Sequence, residues 1–191
     1  MTARHSEPLA RVVAEGSAAA RLDLAELARL HPERYPFLLE TAAAGSAQAR
    51  FDILFAFPGD SLELTAGNDL CGPHAGADGD FLAALDDWWS AERTSHEPEA
   101  AGLPFRGGWF VYLGYELAGQ IEPGLELSYG PRGPVALATR VSVALVRDHA
   151  RARIVLVAEE SDDARLPTIM ADLQQLADSQ PAEFRPAHGR L

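Results

Sequence analysis

The strongest constraint on how this chain folds lies in its last third. Arg140-Val-Ser-Val-Ala-Leu-Val-Arg-Asp148 carries a two-residue period, so Val141, Val143 and Leu145 fall on one face of a strand. Asp148-His149-Ala150 provides turn chemistry, and Arg153-Ile-Val-Leu-Val157 runs back. Two such runs across a short turn predict an antiparallel hairpin.

Further elements follow from the same rules. Phe51-Asp-Ile-Leu-Phe-Ala-Phe57 reads as a strand, Pro58-Gly59-Asp60 as a turn, and Ser61-Leu-Glu-Leu-Thr65 as its antiparallel partner. Gly107-Gly-Trp-Phe-Val-Tyr-Leu-Gly-Tyr-Glu116 reads as an aromatic strand whose glycines mark a bend or a close approach. A helix is predicted over residues 22–31, capped by Asp23 with Glu26 three residues on, with Leu24, Leu27, Ala28 and His31 on one stripe and Pro32 as its stop. A second spans 80–93, capped by Asp80, with Phe81, Leu85 and Trp88 on one stripe and Leu82 and Trp89 beside it. Ser161 is placed to cap a last helix through Leu166, Ile169, Met170, Leu173 and Leu176. Residues 66–80, 94–106 and 121–134 read as loops. Residues 1–21 read as a flexible N-terminal segment, 22–180 as one domain and 181–191 as a linker. There is no repeat and no strict strand–helix alternation, so the expected class is α+β: largely antiparallel β-sheet with flanking helices.

Composition excludes several functions. At 47% hydrophobic residues the chain has material for a core, which rules out wholesale disorder. Every one of the 16 basic residues is arginine, so there is no Schiff-base lysine, no pyridoxal-phosphate anchor and no phosphate-loop lysine. The formal net charge of −12 argues against nucleic acid and anionic membranes as partners. Cys71 is the only cysteine, so neither an internal disulfide nor a multi-cysteine zinc site can form, and its neighbour His74 supplies half of a metal spacing with no second pair. No apolar run reaches the ~20 residues that span a bilayer, and no signal core follows Met1, so a cytoplasmic location is expected. Asp86 and Asp87 are adjacent on a helix and diverge by roughly 100°, so they do not converge on a substrate. No nucleophile elbow and no histidine cluster is present, and Gly107-Gly108 is too short to cradle phosphate. The residues supply no catalytic centre, no metal site and no cofactor site in this chain, which favours a binding or regulatory domain over an enzyme.

One constellation has the makings of a small-ligand site. Tyr35-Pro-Phe-Leu-Leu-Glu-Thr41 leads through the small-residue loop Ala42 to Ala49 into Arg50-Phe51-Asp52. Arg50 offers a planar cation for a carboxylate, Thr41 a hydroxyl and Phe51 an apolar wall, which suits an amino acid. The same residues also read as an ion-paired Arg50 with Phe51 in the core.

Pro36-Phe-Leu-Leu-Glu-Thr-Ala42, Arg50-Phe-Asp-Ile-Leu54 and Pro104-Phe-Arg-Gly-Gly-Trp-Phe-Val-Tyr-Leu-Gly-Tyr-Glu-Leu117 occur in the order and spacing of one family. Together they resemble the N-terminal region of the chorismate-utilising enzymes, aminodeoxychorismate synthase component I and anthranilate synthase component I. The strand Arg50-Phe-Asp-Ile followed by Ala56-Phe57-Pro58 is similar to the aminodeoxychorismate branch.

The resemblance implies an α+β region packed against a larger C-terminal chorismate-binding half of the same polypeptide, which carries the catalytic residues and the magnesium ligands. It implies that the full-length enzyme aminates chorismate with ammonia from a glutamine amidotransferase subunit, giving 4-amino-4-deoxychorismate for 4-aminobenzoate and folate synthesis. It also implies a tryptophan pocket at Leu39, Glu40, Thr41, Arg50 and Phe51. Against the family pattern, Thr41 replaces a serine, Gln48 an aromatic of some relatives, Val111 a glycine and Glu116 an aspartate. A stand-alone tryptophan-binding module and the equivalent anthranilate synthase domain are the alternative readings. If a C-terminal half is missing, an apolar face should stand uncovered, with Trp109, Tyr112 and Tyr115 contributing.

Overall fold

The hairpin around Asp148 becomes the centre of the larger of two antiparallel sheets. The structure, a computed structural model, describes residues 9–41, 50–93, 102–122, 124–125, 127, 133–159 and 164–179. Its strands are β1 (Leu9–Glu15), β2 (Phe37–Leu39), β3 (Phe51–Ala56), β4 (Ser61–Leu64), β5 (Leu70–Cys71), β6 (Gly108–Leu113), β7 (Ala136–Val141), β8 (Val143–Asp148) and β9 (Arg153–Ala158). Its α-helices are α1 (Gly16–Arg21), α2 (Leu24–Leu30), α3 (Phe81–Glu92), α4 (Ala118–Ile121) and α5 (Leu166–Ser179). One sheet has the order β1-β9-β8-β3-β2 and the other β5-β4-β7-β6, so the fold is α+β with antiparallel sheets.

Two chain segments pass from one sheet to the other, and this changes two of the sequence expectations. The run Arg140–Asp148 is not one strand: it breaks at Ser142, with β7 before the break and β8 after it in different sheets. Likewise Ser61–Leu64 does not fold back on Phe51–Ala56. It pairs with β7 and β5, while β3 pairs with β8 and β2. The physical cause is at Phe57, whose φ of 53° turns the chain out of the strand before Pro58. Arg140 N donates to Asp60 O, and Gly59 N to Arg140 O, so the corner is bonded across both crossing segments. Strands that switch sheets through such bends are how sheets turn corners. The hairpin turn lies where the sequence places it, between Asp148 and Arg153. A 3₁₀ turn over His149–Arg151 is followed by Ala152 at φ 46°.

Helices cover one face of the larger sheet. Leu54 and Ala56 of β3, Val143 and Leu145 of β8, and Ile154, Leu156 and Ala158 of β9 pack with Leu24 and Leu27 of α2 and Ile169, Leu173 and Leu176 of α5. These are the apolar stripes the sequence predicts. Asp23 caps α2, accepting from the N–H groups of Ala25 and Glu26. Glu26 does not complete the expected box, because its carboxylate pairs with Arg29 instead. Residues 9–21, expected to be a flexible segment, add β1 to the sheet edge and α1 beside it, with Val13, Ala14 and Ala19 reaching the core. Short, small-residue segments with only a few apolar contacts give a weak signal before pairing supplies it. Ser161, the loop 42–49 and the tail 181–191 lie outside the described residues.

A polar lock ties the turn after α2 to α5. Asp172 accepts from Arg34 Nη1 at 2.5 Å and from the Tyr35 hydroxyl at 2.7 Å. Tyr35 is buried, and burial together with the Asp172 carboxylate raises its pKa above the ordinary phenol value. The opposite corner is closed by Arg140. Its five N–H groups meet Glu92 Oε2 (2.7 Å), Gly108 O (3.0 Å), Val141 O (3.0 Å) and both Glu159 oxygens (2.8 Å each), and its plane covers Trp109 at 4.7 Å. Burial works against this charge, and the Glu92 and Glu159 carboxylates outweigh it, so its pKa lies above the usual value. Gly107, at φ 106°, permits the arrangement: a Cβ there would stand 2.0 Å from Glu159 Oε1.

Two outcomes check these contacts. Tyr35→Phe should lower the unfolding free energy in urea by about 1–2 kcal/mol, because Asp172 loses a buried donor. Since the native phenol holds its proton more tightly than the unfolded one, its stabilisation is complete below about pH 10 and declines as the pH rises past it; Tyr35→Phe should remove that alkaline decline. Gly107→Ala should cost about 1–3 kcal/mol through backbone strain and displacement of Glu159, and circular dichroism melts in parallel with Glu159→Gln will show whether the two losses overlap.

Candidate functional site

The residues singled out as a ligand site gather at one end of the larger sheet. Pairing of Leu39 with Ile53 brings the end of β2 alongside β3, so Leu39, Glu40 and Thr41 lie near Arg50 and Phe51 although the intervening loop is long. Leu39 and Glu40 are exposed at the sheet edge. The N–H of Thr41 donates to Asp52 Oδ1 at 2.9 Å. Arg50 donates through Nε and Nη2 to the two oxygens of Asp148 at 3.1 and 3.0 Å, and its guanidinium lies over the Phe51 ring at 4.5 Å. Phe51 packs with Ile53 against Val146, Val155 and Val157, on the sheet face opposite the helices.

Two of the donors a carboxylate ligand would use are therefore engaged internally. Of the Arg50 guanidinium, the Nη1 hydrogens remain outside the bidentate pair. Asp148 is fully buried, and its pKa is lowered because Arg50 hydrogen-bonds the carboxylate, against the opposing effect of burial. Beside it, Asp52 Oδ2 lies 2.8 Å from His149 Nε2. This dyad, Asp148 itself, and Arg151 and Arg153 next to them are polar residues the sequence reading did not single out. A signal was available: Asp52 is a lone acid inside an aromatic strand, and a buried carboxylate there requires a partner. The hairpin register sets Asp148 opposite Arg153, so the alternation of charge in 147–153 could have been read as a cluster. Among the described residues the His149 ring bonds to Asp52 and to no hydroxyl or thiol.

Two other concavities lie beside the helix α3. An open cleft of about 360 Å³ at the sheet crossover is bordered by Asp60, Glu92, Arg140, Glu159 and Arg165, where every Arg140 donor is already bonded. A groove of about 370 Å³ between α3 and β6 is apolar, with Leu82, Leu85, Trp89, Trp109 and Val111 on its walls. Cys71 is exposed on β5, and among the described residues no group of three or more histidines, cysteines or acids is placed to hold a metal ion. Among the same residues no helix is long and apolar enough to cross a membrane.

The Arg50–Asp148 pair gives a pH prediction. A carboxylate with a lowered native pKa stabilises the fold fully above its unfolded value, about 3.9, and the contribution is lost as pH falls below it. Urea unfolding followed down to about pH 2.5 should show an acid-side loss that Asp148→Asn flattens, while lowering stability at neutral pH.

No family model matches the chain, and no curated protein matches it. Among solved structures it is similar to anthranilate synthase component I from Streptococcus pneumoniae TIGR4, with 23% identity over 74% of this chain and a TM-score of 0.49. The chain spans about a third of that protein, 32% of its length.

Proposed function

We propose that this chain is the N-terminal, non-catalytic region of a chorismate-utilising component I enzyme, of the aminodeoxychorismate branch. The observation that carries the reading is the convergence of its three motif segments. Phe37, from the first, stacks on Phe110, from the third, with ring centres 4.0 Å apart and planes 3° from parallel. Phe55, directly after the second, meets Phe110 at 5.6 Å and Phe105 at 5.1 Å, both edge-on. Segments separated by scores of residues share one aromatic cluster, which gives their co-occurrence a structural reason.

A second observation supports a missing partner half. Beyond this cluster β6 and the turn after it present Tyr112, Leu113, Tyr115 and Ile121 to solvent, with Tyr115 78% exposed and Ile121 66%. Exposed apolar side chains in such number suit an interface. Of the three residues expected there, Trp109 is the exception, half-buried between Trp88 and Arg140. In this reading the chorismate chemistry, its magnesium and the amidotransferase contact belong to the full-length enzyme. The continuation Ala56-Phe57-Pro58 favours the aminodeoxychorismate branch over the anthranilate one.

The chain alone, given chorismate, an ammonium salt and magnesium, should form no product. Extended by the downstream coding sequence it should form 4-amino-4-deoxychorismate; anthranilate would move it to the other branch, and turnover by residues 1–191 alone would overturn the proposal. Calorimetry with tryptophan should show no heat, because Arg50 and the Thr41 N–H are engaged by Asp148 and Asp52. Micromolar binding abolished by Arg50→Ala would establish an effector-binding module instead.

A further inference from the structure

We propose that Arg151 and Arg153, at the tip of the β8–β9 hairpin, form a binding site for a small oxyanion, the ligand group being a phosphate or a carboxylate. Three guanidinium groups converge on one oxygen, Asp148 Oδ2: Arg50 Nη2 at 3.0 Å, Arg153 Nε at 3.8 Å and Arg151 Nε at 3.9 Å. Only Arg50 is within hydrogen-bond distance, and it engages both carboxylate oxygens. Asp148 is fully buried, and its carboxylate, paired with Arg50 and accepting the Arg151 backbone N–H, has two more guanidinium groups nearby beyond hydrogen-bond distance. The Nε of Arg153 is itself buried and lacks an acceptor. Its cross-strand neighbour on β1 is Glu15, which makes no ion pair with it among the described residues. Asp52 is taken by His149 and the Thr41 N–H.

The chemistry of the remaining donors defines the ligand. A guanidinium presents a planar fork that matches the oxygens of a carboxylate or phosphate. The Arg151 side chain is 55% exposed, which keeps the cluster open to solvent, whereas that of Arg153 is 19% exposed and fixed by the strand. An oxyanion held at the exposed Arg151 guanidinium, beside Arg153, would offset the positive charge that a single carboxylate leaves on three guanidinium groups. Residues 147–153 hold three arginines and one acid in a chain of net charge −12, so this turn is a cationic spot on an acidic protein.

Inorganic phosphate and malonate, each titrated at constant ionic strength set with sodium chloride, test the site by proton–nitrogen NMR. The expected result is saturable movement of the Arg151–Arg153 amide signals and of the Arg153 Nε–Hε signal, weakened about tenfold or more in Arg151→Gln and unchanged in the remote control Arg93→Gln. Tighter phosphate binding would name a phosphate group, and tighter malonate binding a carboxylate. Arg151→Gln decides the matter even if Arg153→Gln fails to fold, because its side chain is mostly in water. Shifts no larger than those from chloride alone, or equal in wild type and Arg151→Gln, would overturn the proposal.

Discussion

The Arg140 guanidinium, with all five N–H groups accepted by protein, is the contact on which the arrangement of the two sheets depends. It stands where β7 gives way to β8, and its acceptors come from α3, β6, β7 and the end of β9. A partly buried cation of this kind tolerates little substitution. Removing either carboxylate leaves charge without its counterpart in a site of reduced solvation, and the loss is larger than the value of a surface pair. Gly107 and Trp109 are best understood through it. The first leaves room for Glu159, and the second offers a ring face to the cation and an edge contact to Trp88. Trp88 in turn donates to the free oxygen of Glu92 at 2.6 Å, so the helix is bonded into the same network.

The elements most legible in the sequence are those whose pattern is local. Asp80 caps α3 as expected, accepting from Ala83 N, and Leu24 and Leu27 of α2 and Ile169, Leu173 and Leu176 of α5 are buried where their spacing placed them, while Met170, expected on the same stripe, is exposed. What the pattern could not reveal is where strands change sheets. Val141, Val143 and Leu145 keep one alternation across Ser142, so the run has the period of a single strand on both sides of the break. The break is set by Phe57 and by backbone bonds between Gly59, Asp60 and Arg140, which are contacts between distant segments. For the same reason proximity along the chain makes β3 the expected neighbour of β4, whereas the fold pairs β4 with β7 and β5.

The proximity of the candidate residues was legible in the sequence; their use was not. Pairing of β2 with β3 places Leu39, Glu40 and Thr41 near Arg50 and Phe51. The partner of Arg50 could not be read locally, because Asp148 comes from a strand almost a hundred residues away, a separation of 98 positions, whereas the acceptor of the Thr41 N–H, Asp52, lies 11 positions on. The result is a sheet with two distinct ends. One is polar and internally paired around Asp148 and Asp52, and the other is aromatic, where Phe37, Phe55, Phe105 and Phe110 join the sheets.

Strand β6 lies at the margin of its sheet, and Gly108–Leu113 contains no charged residue and no proline. Such a margin is a template for any other extended chain unless something discourages the approach. Here the discouragement comes from a distance, from the carboxylates that make every copy repel every other. As acid or concentrated salt weakens that repulsion, this margin, unpaired among the described residues, becomes the first place where copies adhere.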